Sequence, residues 1–161
     1  MVTRPNDPLF SQQWHLENTG NENRQKGIDV NVLEVWPDYT GNGVTVGIID
    51  DGVERDHEDL IGNYESNPVQ LPKYSYDQDG APERRFDAHG TAIAGIIAAS
   101  KNDVGGTGIA YDAKLVGFLD TQKKTSTVLR QQQAVDISSN SWGLDLPFQS
   151  NFEIAPYRAE G

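Results

Sequence analysis

Three short apolar stretches break up an otherwise polar chain, and their periods separate them into two kinds. Val44-Thr45-Val46-Gly47-Ile48-Ile49 is β-branched on both faces, the pattern of a strand buried on both sides within a parallel sheet. Lys114 to Leu119 predicts a second buried strand, and Ile137 to Trp142 a third. Thr91 to Ala99 differs: it is long for a strand and apolar nearly all round, so it predicts a buried helix whose small residues allow close packing. Thr125 to Val135 predicts a second helix with one polar face. Strand, helix, strand, helix, strand is the order of an α/β domain with a mostly parallel sheet flanked by helices. In such sheets function gathers at the carboxyl ends of the strands.

The connecting segments divide the chain further. Pro5 to Gly27 is rich in Asn, Gln and Gly, with Trp14 and Leu16 as isolated apolar anchors, and reads as an ordered arm. Asn31 with Glu34 three residues on predicts a capping-box start to a short helix ahead of Val35-Trp36, and Tyr39 to Gly43 is a turn cluster. Asp50 to Asp87 is mostly charged and predicts surface loops, as does the Gly-rich stretch Asn102 to Gly108. Leu144 to Gly161 offers no element. The expected organisation is one domain, with an arm at 1–27, an α/β core at 28–143 and an unassigned tail at 144–161. Its sheet looks incomplete on the C-terminal side after three strands. No repeat or low-complexity tract is present.

Charge narrows the function classes. Twenty-four acidic residues against thirteen basic ones give a net charge of -11, which argues against binding nucleic acid. The nearest basic clusters, Arg84-Arg85 and Lys123-Lys124, are only pairs. An acidic surface can instead attract metal ions or the Lys and Arg side chains of a peptide. The absence of cysteine removes disulfides, thiolate catalysis and Cys-ligated metal together. No segment is apolar enough to span a bilayer, and Met1 to Gln13 has no signal-like core. The expectation is a soluble protein or a processed piece of an exported one.

Two clusters carry candidate chemistry. Ile48-Ile49-Asp50-Asp51-Gly52 places two acids where a hydrophobic strand leaves the core. Alternation along a strand lets at most one of them address a given partner, and acids at strand ends also cap turns. Asp87-Ala88-His89-Gly90-Thr91 puts a histidine just before the apolar helix. A histidine fixed beside a carboxylate holds one tautomer and can act as a general base near neutral pH. Gly90 and Gly95 fit a helix start pressed against neighbouring backbone.

Taken in order, Val46-Gly47-Ile48-Ile49-Asp50-Asp51-Gly52, His89-Gly90-Thr91-Ala92-Ile93-Ala94-Gly95 and Ser139-Asn140-Ser141-Trp142-Gly143 resemble the signature blocks of the subtilases. The opening Asn6 to Leu16 and the Asp-Asp-Gly block look most like the kexin/furin branch and its bacterial relatives. The resemblance implies a subtilisin-like fold and a serine endopeptidase with the chain order aspartate, histidine, serine. It makes Asp50 the residue that orients His89, and His89 the proton relay. The family's nucleophile lies in a Gly-Thr-Ser block that this sequence does not contain. Ser100, Ser139 and Ser141 lack that context, so the chain alone is expected not to hydrolyse peptides.

The same resemblance assigns Ser141, Trp142 and Gly143 to backbone pairing with an extended peptide or protein substrate. It also gives Asp51 and Asp87 a part in favouring basic residues before the cleaved bond. Leu144-Asp145-Leu146 departs from the branch's acidic pattern at this point, which argues against strict dibasic specificity. Ser100-Lys101-Asn102-Asp103-Val104-Gly105-Gly106 resembles the subtilase calcium loop, although it is also an ordinary Asn-Asp-Gly turn. By that pattern Ser100, Val104 and Gly106 supply carbonyls, Asn102 its amide oxygen, and Asp7 and Asp59 carboxylates. An all-oxygen shell of about six ligands suits structural Ca²⁺ rather than zinc. The implied protein is secreted or associated with the cell envelope, and monomeric when complete. The competing readings are a non-catalytic calcium-binding or peptide-binding remnant, and a nucleotide-binding α/β domain, for which no glycine-rich phosphate motif is present.

Overall fold

The computed structural model describes residues 4–20, 23–65, 80–119 and 132–141. Three strands, β1 (Thr45–Asp50), β2 (Lys114–Leu119) and β3 (Ile137–Asn140), form a parallel sheet in the order β2-β1-β3. The helix α1 (His89–Ala98) packs across β1 and β2. Because β1 lies between two partners, its residues from Val46 to Asp50 are all buried, as a run apolar on both faces requires. The ladder continues beyond β2 through a single parallel bridge from Tyr64 to Leu115. Leu115 donates to Asn63 O at 2.9 Å, and Glu65 N–H donates to Leu115 O at 2.8 Å.

Alternation along the strands sorts the core into two layers. Val46, Ile48 and Leu115 face α1 and pack with Val53, Leu60, Ala94, Ala98 and Ala113. Ile49, Val116 and Phe118 face the opposite side, with Val135 against them. Ile48 and Ile49 are both fully buried, and each stabilises the fold by roughly 1.5–3 kcal/mol relative to an exposed side chain. A third cluster holds the arm: Phe10, Leu16, Val32 and Trp36, with the Trp36 indole donating to Ile109 O at 2.8 Å. Phe10 is an anchor of the arm beside Leu16, whereas Trp14 is half exposed and lies under the Arg24 guanidinium.

Several expectations are corrected in detail. The helix begins at His89 rather than Thr91, so the histidine belongs to its first turn. It buries only Gly90, Ala94 and Ala98, one stripe at a spacing of four, while Ile96 is 46% exposed. It is therefore not buried all round among the described residues. The capping box at Asn31 does not form. Asn31 adopts a left-handed backbone (φ 53°), its N–H is taken by Asp29 at 2.8 Å, and only a single 3-10 turn, Val32–Glu34, follows. β3 ends at Asn140, although the next residue still pairs through Ser141 N–H to Ile49 O at 3.1 Å. Of the helix expected at Thr125 to Val135, the described part contains one 3-10 turn, Gln132–Ala134. The rest of that segment, together with Trp142, Gly143 and the tail, lies outside the described residues. Among the described residues no helix is long and apolar enough to cross a membrane.

Candidate active site and metal loop

At the carboxyl end of β1 the Asp50 carboxylate is 96% buried, and its two oxygens each lie 2.9 Å from His89 Nδ1. Asp50 also accepts the Asp51 backbone N–H at 2.8 Å and a hydrogen bond from the Ser141 side chain. Burial pushes this carboxyl up, but the hydrogen bonds from Asp51, His89 and Ser141 outweigh it and hold the group below its ordinary range. The hydrogen bond to Asp50, with the attraction of its charge, raises His89 above the usual imidazole value. A neutral His89 that donates from Nδ1 carries its lone pair on Nε2, and the side chain is 62% exposed. An ionised, buried acceptor beside an exposed imidazole is an arrangement suited to accepting a proton from a group docked at the surface.

Both acids of the pair address the same helix start, against the expectation from alternation. The chain leaves the strand at Asp51 and bends through Gly52 (φ 112°), so the period-two rule no longer applies. The Asp51 carboxylate accepts the backbone N–H of Gly90 at 2.7 Å and that of His89 at 3.1 Å. It caps two of the helix's orphan donors from a different element, and its charge favours the positive end of the helix. This close approach depends on glycine. A Cβ at Gly90 would collide with Gly52 O and stand 2.8 Å from Asp50 Cβ, whereas Gly95 faces open space and carries no such constraint.

Asp87 lies apart from this pair. Its carboxylate accepts the Arg84 N–H at 2.9 Å, and with Glu54, His57 and Arg85 it lines a cleft of about 430 Å³ beside α1. Ser141 stands at the end of β3, exposed, with its side chain turned to Asp50.

The remaining candidates come together around the loop after α1. Asp7 and Asp59 are buried, at 4% and 8% exposure. Asp7 accepts the Asn102 N–H at 3.1 Å, Asp59 accepts the Gly106 N–H at 2.9 Å, and Ser100 N–H donates to Asp59 O at 2.7 Å. Val104 N–H donates to Asn102 Oδ1 at 3.0 Å. One oxygen on each buried carboxylate, Asp7 Oδ2 and Asp59 Oδ1, has no hydrogen-bond partner. Burial pushes the Asp59 carboxyl up despite its bond from Gly106, and the negative charge of Asp7 adds to the rise. Orphaned buried carboxylate oxygens of this kind fit a bound cation. Among the described residues no group of three or more His, Cys, Asp or Glu could hold a metal, so this set rests on two carboxylates and neutral oxygens. Gln13, which the sequence did not single out, ties the arm to the same loop through Thr107, accepting its N–H at 2.8 Å and donating to its C=O at 2.9 Å. Only the repeated polar residues at Gln12-Gln13 hinted at such a role.

Comparison with known proteins agrees with this geometry. Residues 41–156 match the model of the Subtilase family. Rat neuroendocrine convertase 2 is 40% identical over 156 residues, covering 86% of this chain and 23% of its own length. A PC3-like endoprotease of Hydra vulgaris is 39% identical over 150 residues, covering 86% of this chain and 21% of its own length. The crystal structure of the Aeromonas sobria serine protease in complex with its chaperone superposes with a TM-score of 0.74 at 26% identity, covering 98% of this chain and 30% of that one. The chain thus spans less than a quarter of the curated relatives it matches and about a third of that solved structure. The family match over most of the chain, the parallel sheet and the carboxylate–imidazole pair agree, and the protein belongs to the subtilase family.

Proposed function

We propose that this chain is part of a serine endopeptidase domain and supplies two of its catalytic groups. Asp50 orients and electrostatically supports His89, and His89 relays the proton between a serine nucleophile and the leaving amine. The observation that carries this reading is the contact of both Asp50 oxygens with His89 Nδ1 at 2.9 Å, with the imidazole otherwise exposed. The nucleophile is not assigned to any serine of this chain. Ser141 hydrogen-bonds to Asp50 rather than to His89, Ser139 lies within β3, and the Ser100 hydroxyl is buried at the metal loop. The sequence has no Gly-Thr-Ser block, so the chain by itself is expected not to hydrolyse peptides.

The substrate is an extended peptide that pairs backbone to backbone with Ser141, Trp142 and Gly143. A preference for basic residues before the cleaved bond is consistent with the net charge of -11. Asp87 is its better-placed support, since both oxygens of Asp51 are engaged by the helix. The similarity to a bacterial serine protease and a neuroendocrine convertase favours a secreted or envelope-associated protein.

Asp7 and Asp59, with the Asn102 amide oxygen and the carbonyls of Ser100, Val104 and Gly106, would hold one Ca²⁺. Its charge would neutralise the two buried carboxylates and so pin the arm to the loop. The reading as a non-catalytic calcium-binding remnant shares this site. The test is expression of the full-length polypeptide that carries this chain, with wild type, Asp50→Asn and His89→Ala assayed on peptides with and without a basic residue before the scissile bond. Hydrolysis that survives His89→Ala would overturn the catalytic assignment.

A further inference from the structure

We propose that the loop ahead of α1 carries a cleavage site, the Arg85–Phe86 peptide bond, for an endopeptidase that reads paired basic residues. Glu83, Arg84, Arg85 and Phe86 are all exposed, and the Phe86 side chain is 90% exposed. Arg85 and Phe86 are the two central residues of a turn closed by Asp87 N–H to Arg84 O at 3.0 Å and Arg84 N–H to the Asp87 carboxylate at 2.9 Å. Among the described residues these two local bonds close the turn, and they open before the segment adopts the extended form that a protease groove requires.

The loop is held firmly on both sides. Gly80 is buried, accepts the Val53 N–H at 2.8 Å and is pressed against Gly117, while His89 and Gly90 are clamped by Asp51. Opening is therefore confined to the residues between these anchors, and it is a local event rather than global unfolding.

The other described basic residues offer no adjacent basic pair in such a turn. Arg4 is paired with Glu17, Arg24 lies over the Trp14 ring, Lys26 is exposed, Arg55 stands 3.8 Å from Asp56, Lys101 lies over the Tyr111 ring and Lys114 donates to Gly62 O. None of them has a basic neighbour in sequence.

In the reaction, water adds across the Arg85–Phe86 bond, leaving a carboxylate on Arg85 and an α-ammonium on Phe86. Because the cut falls between Asp50 and His89, the paired groups end on separate chains joined only by packing and hydrogen bonds. The new ammonium appears three residues before α1, where it opposes the positive end of the helix.

Two experiments decide the proposal. The purified protein is treated with trace trypsin and the early cuts are mapped by mass spectrometry. Cleavage after Arg85 at least tenfold faster than after Arg24, Lys26, Arg55 or Lys101, abolished by Arg84→Gln/Arg85→Gln, is expected; cleavage there no faster than at those four would overturn it. In parallel, full-length wild type and the full-length His89→Ala protein are stored at the same concentration. A cut after Arg85 in the wild type alone identifies this protein's own activity as the cleaving agent. Trypsin cleavage without that self-cut assigns the site to another endopeptidase, whatever the fate of the proposed activity. Absence of the cut in every arm removes the site.

Discussion

Asp51 accepts the backbone N–H of Gly90 at 2.7 Å, so the residue after Asp50 holds the residue after His89. The side-chain pair and the backbone pair are thus offset by one position, and the strand exit grips the helix start twice. The imidazole is placed by its backbone as much as by its hydrogen bond to Asp50.

Asp51→Ala should destabilise the fold by about 1 kcal/mol, the usual cost of losing a helix N-cap. Amide hydrogen exchange at Gly90 should speed up more than exchange at the β1 amides. Equal protection of Gly90 in both proteins would show that the clamp is idle.

Gly90→Ala should be worse. The added methyl group would collide with Gly52 O and crowd Asp50 Cβ, forcing α1 away from β1 at a cost of about 1–3 kcal/mol. Gly95→Ala, at an open position, should be neutral or stabilising because it reduces the freedom of the unfolded chain. Thermal unfolding of the two variants side by side checks the contrast.

The Asp50–His89 pair sets a pH dependence. His89 is raised in the fold, so its contribution to stability is complete below its unfolded value of about 6.5 and lost as pH rises through the folded one. Asp50 is depressed, so its contribution is complete above about 3.9 and lost as pH falls through the folded value. The pair therefore stabilises most between those limits. A base must be neutral, so hydrolysis by the full-length protein should switch on as pH rises through the raised folded value of His89. Asp50→Asn should move the His89 titration downwards, read by imidazole NMR, and lower kcat by roughly 10⁴-fold. A His89 titration that is unmoved would break the proposed link.

Calcium at 100 times its dissociation constant should stabilise the full-length protein by about 2.7 kcal/mol, with EDTA lowering Tm. Asp59→Asn should abolish the response to calcium. Because it also removes a buried, desolvated charge, it should cost little stability in EDTA. An unchanged Tm on chelation of the wild type would dismiss the site.

What the amino-acid sequence determined by itself is the part set by short-range periodicity. Val46 to Ile49 can satisfy its apolar residues only between two neighbouring strands, and the Asp-Asp-Gly and His-Gly-Thr blocks mark the ends of core elements. The three strands, the helix between the first two, and the placing of Asp50 and His89 at the ends of core elements were legible for that reason. Tertiary structure decided what depends on contacts between distant segments: that Asp51 turns back onto the helix instead of alternating away, that α1 hides only its Gly90, Ala94 and Ala98 stripe, and that Gln13 reaches Thr107 across 94 positions. A hydrogen bond to a backbone amide leaves no signature in the partner's side chain, so no pattern along the chain could have announced these pairings.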